Sequence, residues 1–118
     1  MISPKEHLYP YNGLYQYQSI EGYIVWRYGT GETVELLQLE ASEHRKGYGT
    51  FLVKHMLSEL SDHPSHYTVY GFTRERLIIA QIFYLSLGFK LIRLPDYYRE
   101  GSGVLFSQKL STLLERQK

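Results

Sequence analysis

Residues 36–57, LLQLEASEHRKGYGTFLVKHML, decide how this chain is read. An apolar run of strand length leads into His44, Arg45 and Lys46. Two glycines follow, one residue apart, at Gly47 and Gly49. Leu52, Val53, Met56, Leu57 and Leu60 then recur at helical spacing. Glycine costs helix stability, so a pair at a helix entrance has a reason. A plain loop-to-helix turn is one. The other is a loop whose backbone approaches an anion, because a helix N-terminus offers unpaired N–H groups and a partial positive charge. A place directly between an apolar strand and an amphipathic helix favours the second reading.

Upstream, LYQYQSIEGYIVWRYGTGETVELLQLEA (14–41) reads as three strands, with Gly22 at the first turn and GTG (29–31) at the second. Regular alternation in the third strand puts Val34, Leu36, Gln38 and Glu40 on one face. Glu35, Leu37, Leu39 and Ala41 take the other. Residues 1–13, with Pro4, Pro10 and Gly13, form an irregular arm. Downstream, the amphipathic helix ends near His63-Pro64, and HYTVYGF (66–72) is a strand. ERLIIAQIFYLSLG (75–88) is a helix closed by Gly88. FKLIRL (89–94) and GVLFSQKL (103–110) are strands joined by the polar loop PDYYREGS, and residues 111–118 are a tail, either a short helix or a frayed end. The order β-β-β-α-β-α-β-β implies one α/β domain over residues 1–118, with a mixed, mostly antiparallel sheet and two main helices.

The chain has 118 residues, 43% of them hydrophobic, enough for one real core. No cysteine is present, which excludes disulfides and thiolate chemistry by the protein itself. A formal net charge of +1 argues against nucleic-acid binding driven by charge. Without a bilayer-length apolar run or a leader pattern, a cytoplasmic protein that binds no membrane is expected. His63 and His66 bracket Pro64 without a supporting carboxylate cluster; they read as loop residues, and no metal is expected. Of twelve tyrosines, six (Tyr9, Tyr11, Tyr15, Tyr17, Tyr23 and Tyr28) fall in the first 28 residues. Tyrosine suits a half-buried strand surface and also a contact surface for a second copy.

With these pieces placed, residues 36–57 resemble the acetyl-CoA-binding segment of the GCN5-related N-acetyltransferases, the GNAT superfamily. That segment is a strand, an (Arg/Gln)-x-x-Gly-x-(Gly/Ala) loop and a helix. AQIFYLSLGFK resembles the family's Ala-x-x-x-Tyr-x-x-x-Gly-Phe helix end through Ala80, Tyr84, Gly88 and Phe89. PDYYREGSGVLFSQKL resembles its Tyr-Tyr loop and final strand. The three motifs stand in the family's order across roughly residues 20 to 110. His44 stands where Arg or Gln is usual, unless a shorter loop puts Arg45 in that role, and Arg76 and Leu77 stand where many members carry an Asn. About twenty residues precede the hairpin where the family carries a strand and two helices. The resemblance therefore implies an open acceptor side, or one completed in a homodimer through the tyrosine-rich N-terminal region.

The resemblance also implies an acetyl-CoA-dependent N-acetyltransferase acting on a primary amine. Leu39 and Ala41 at the strand end, with His44, Arg45, Lys46, Gly47, Tyr48, Gly49 and Thr50, would hold acetyl-CoA. Tyr84 would protonate the departing thiolate, although an aromatic on the inner face of a helix is ordinarily core. Tyr97 and Tyr98 would contact the acceptor. Glu40 is the first choice of general base because it ends an apolar strand on the face of Gln38. Glu35 joins that face only if the strand carries a bulge. Arg74 and Arg76 meet either the cofactor's ribose phosphate or solvent. A non-catalytic acetyl-CoA- or CoA-binding module acting on a partner protein is the alternative.

Overall fold

The structure, a computed structural model, describes residues 14–62 and 67–117. The irregular arm 1–13, with Tyr9 and Tyr11, and the histidine pair His63 and His66 lie outside the described residues. Strands β1 (Leu14–Ser19), β2 (Gly22–Tyr28) and β3 (Thr33–Ala41) form an antiparallel meander. Helix α1 (Tyr48–Leu60) crosses to β4 (Thr68–Arg74), which pairs parallel to β3. Helix α2 (Ile78–Leu87) leads to the hairpin of β5 (Lys90–Tyr98) and β6 (Gly101–Lys109), and α3 (Leu110–Arg116) closes the chain. The six strands lie in the order β1-β2-β3-β4-β6-β5, so β6 enters between β4 and the edge. This is the mixed, mostly antiparallel α/β sheet expected.

Alternation along the strands sorts residues between two unlike faces. Tyr17, Ile24, Trp26, Val34, Val69 and Phe106 point to one side. There they join Leu52, Val53, Met56, Leu57 and Leu60 of α1, Leu87 of α2, and Leu110 and Leu113 of α3 in a single core. The tail is thus a packed helix. Tyr17 is fully buried, while Tyr15 stacks on Trp26 and meets Tyr28 edge-on, so these tyrosines serve the sheet. The opposite face carries Arg27, Glu35, Tyr70, Phe72 and Ile92, and none of the three helices packs there.

Two expectations change. In β3 the register with β2 slips, with Val25 opposite Gln38 but Trp26 opposite Leu36. Leu37 is the extra residue of a bulge, which reverses the alternation beyond it. Leu39 therefore joins Val34 and Leu36 against the core, and Glu35 shares the open face with Gln38 and Glu40. Second, the loop PDYYREGS is mostly strand. β5 continues through Tyr98, which pairs with Gly101, and only Arg99 and Glu100 make the turn. Proline and polar residues at 95–97 mask this, because the irregularity between Leu94 and Tyr98 absorbs them at a sheet edge.

Candidate functional site

β3 and β4 pair only at Thr33–Glu35 with Thr68–Tyr70. Beyond these pairs the bulged β3 turns away and the strands splay apart. Gly71 stands at the branching point, where an added Cβ would lie 2.3 Å from the Phe106 ring and 2.9 Å from the Leu36 carbonyl oxygen. The splay opens a cleft of about 330 Å³ through the sheet, lined by Gln38, Leu39, Glu40, Phe72, Thr73, Leu77, Ala80 and Tyr84 among others.

On the helical side a second cleft, of about 420 Å³, runs along the start of α1. Its lining includes Leu39, Ala41, His44, Arg45, Gly47, Tyr48, Gly49 and Thr50, which the sequence singled out for acetyl-CoA. Lys46 is the exception; it is exposed and does not line the cleft. Ile79 and Phe83 of α2 form an apolar wall that sequence reading missed, although their spacing of four is a helical-face signal. The two clefts share Leu39, Ala80 and Tyr84, which border both.

The glycine pair now has separate explanations. Gly47 is the N-cap of α1 with φ +75°, left-handed backbone where a side chain is strained, and an added Cβ there would meet nothing within 4 Å. Arg45 is also left-handed, at φ 62°. The first turn of α1, whose N–H groups have no partner within the helix, thereby lines the cleft without an acidic side chain of its own, although Glu43 lies on the same lining. Gly49 lines the cleft and also has a packing reason: its Cβ would stand 3.2 Å from the Phe83 ring, so its absence lets α2 lie close.

Tyr84 is 8% exposed. Its ring stacks on Phe106 with centroids 3.7 Å apart and planes 9° apart, and Phe83 and Phe89 meet it edge-on. Burial pushes its phenol up to about 12, so it keeps its proton throughout the neutral range. Glu40 is exposed on the rim of the splay cleft. Glu35 is engaged elsewhere: Arg27 donates to it at 3.0 Å and the Tyr70 hydroxyl donates at 3.4 Å. Burial and the neighbouring Glu35 raise the Tyr70 phenol in turn.

Tyr97 lies flat against Phe72 on the open face, with centroids 5.0 Å apart. The Arg74 guanidinium sits 4.2 Å over the Tyr98 ring. Arg74 and Arg76 line a separate pocket of about 200 Å³ with Glu75 and Glu100, away from the cleft at α1. Among the described residues no group of His, Asp or Glu could hold a metal ion, and no helix is long and apolar enough to cross a membrane.

This architecture, with its parallel pair splayed behind a bulge and a glycine loop opening the next helix, is the GNAT acetyltransferase fold. No protein-family model matches the sequence, and no curated protein matches it by sequence. Solved structures do match by fold. An IAA acetyltransferase from Bacillus cereus superposes with a TM-score of 0.71 at 16% identity, over 81% of this chain and 77% of that one. A GNAT-family acetyltransferase from Elizabethkingia anophelis with acetyl-CoA bound gives 0.69 at 16% identity, over 83% and 76%. The ribosomal-protein-S18-alanine N-acetyltransferase from Escherichia coli gives 0.63 at 20% identity. That match covers 75% of this chain, which spans 61% of the length of the Escherichia coli enzyme.

Proposed function

We propose that this protein is an acetyl-CoA-dependent N-acetyltransferase acting on a primary amine. The observation that carries the reading is the pair of clefts that share Tyr84. One begins at the left-handed Gly47 and the free N–H groups of α1; the other passes through the β3–β4 splay to Glu40, with Tyr84 lining both. The residues suit the cofactor: backbone donors at a helix N-terminus for a pyrophosphate, and an apolar wall of Ile79 and Phe83 beside them. When bound, acetyl-CoA supplies an acetyl thioester. In the overall exchange a C–N bond forms as the C–S bond breaks, the amine gives up one proton and the sulfur gains one.

The chain's own groups divide that work. Unpaired edge groups of β3, freed where β4 diverges, hold the pantetheine arm and orient donors toward developing charge. A free alkyl amine has a pKa of about 10, so Glu40 takes its proton at the rim of the splay cleft. Tyr84, protonated and shielded, gives its proton to the sulfur. Burial makes the phenol a weaker acid, and the same desolvation acting on the thiol in that cleft offsets this.

Calorimetric titration with acetyl-CoA and with CoA tests the reading. One micromolar site per chain is expected, lost in Gly47→Glu, which sets a carboxylate among the anion-binding amides. Absence of binding by the folded protein would overturn it.

A further inference from the structure

The open face of the sheet carries an aromatic slab that leads to the splay cleft. Tyr97 is 49% exposed and lies parallel to Phe72, at 9° between planes. Tyr70 meets the edge of Phe72 at 5.9 Å. Phe72 itself lines the splay cleft, with Glu40 at the rim. The charges near this path are few and mostly committed. Glu35 is paired with Arg27 at 3.0 Å, and Arg74 is stacked over Tyr98. Glu40 makes no ion pair among the described residues.

We infer that the acceptor is a monoamine bearing an aromatic ring, an arylalkylamine in chemical class. The ring stacks on Tyr97, whose flat outward face costs little to desolvate and favours offset aromatic contact. The ammonium meets Glu40, loses its proton there, and the neutral nitrogen enters the splay cleft. One carboxylate serves one cation. A polyamine's further charges would find no second free carboxylate on this path, because Glu35 is held by Arg27. The inference rests on the acyl-transfer reading above and adds the class of substrate to it.

The test uses the full chain in two stages. Acetyl-CoA binding is measured first; its absence would be a failure of the acyl-transfer reading. CoA release is then compared for phenethylamine, n-butylamine and spermidine. Phenethylamine is expected to exceed the other two by about tenfold or more in kcat/KM, the scale of one aromatic stack. Tyr97→Ala should remove that advantage through KM while leaving acetyl-CoA affinity unchanged, and Tyr97→Phe should retain it. With acetyl-CoA bound, equal or better use of spermidine or n-butylamine would overturn the inference, as would a preference that survives Tyr97→Ala. If no amine releases CoA, calorimetry of phenethylamine against the CoA-loaded protein decides. Binding weakened by Tyr97→Ala supports the inference, and anything else overturns it.

Discussion

Replacing Tyr84 by Phe removes one hydroxyl and keeps the ring that stacks on Phe106 at 3.7 Å. The variant should therefore fold as the wild type does at neutral pH. Its signature lies at alkaline pH. The phenol ionises near 10.0 when exposed but at about 12 in the fold, so deprotonation favours the unfolded chain. The sign is that of a raised folded value: stability is complete below pH 10 and is lost as pH climbs toward 12. At pH of about 11 the linkage amounts to about 1.4 kcal/mol, on the order of 5 °C in Tm for a domain of this size. Wild type should lose that increment relative to Tyr84→Phe when both are melted across this range; Tyr70, raised in the same direction, is common to both and cancels. Activity gives the second readout. An acid positioned in the transition state contributes about a hundredfold or more, so kcat should fall by that factor while acetyl-CoA affinity holds. Equal alkaline losses in the two proteins would refute the burial argument. Undiminished kcat in Tyr84→Phe would refute the acid role.

Four further outcomes follow from other parts of the fold. Gly71→Ala should destabilise by about 3 kcal/mol or more, since its Cβ meets a buried ring and a backbone carbonyl that cannot both retreat; thermal melting reads this directly. Gly47→Ala should cost about 1 kcal/mol from backbone strain alone, with no clash. Gly49→Ala should instead displace Phe83 and weaken acetyl-CoA binding more than it lowers Tm, as calorimetry and melting together would show. His55 packs at 3.6 Å against the Tyr17 ring, and its Nε2 is shut from solvent 3.6 Å from Glu59. Burial lowers its pKa from 6.5 and Glu59 only partly opposes this, so stability should fall as pH drops through 6.5. His55→Phe should flatten that acid limb in denaturant titrations.

Much of this was legible in the chain because the signals are local. The period of Leu52, Val53, Met56, Leu57 and Leu60 marked α1, since a helix buries one stripe whatever it packs against. Gly47 before that stripe, and Gly88 after Leu87, marked helix boundaries because left-handed backbone selects glycine. The tail was only half legible. Leu110 and Leu113 are fully buried, but seven residues carry too little period to tell a packed helix from a frayed end.

Tertiary structure decided what depends on partners across the sheet. The bulge at Leu37 is a mismatch of register between two strands, and no residue of β3 announces it; yet it alone puts Glu35 on the face of Glu40 and Leu39 against the core. Salt-bridging to Arg27 then separates these two carboxylates, one engaged and one open at the cleft. Gly49 shows the same division. Its identity suggested a ligand, and it lines the cleft, but the ring of Phe83, thirty-four positions along, is what crowds its Cβ. Periodicity and turn chemistry are properties of a segment, and sequence specifies them directly. Register, splay and the sharing of Tyr84 between two clefts arise where distant segments meet, and only the packed sheet fixes them.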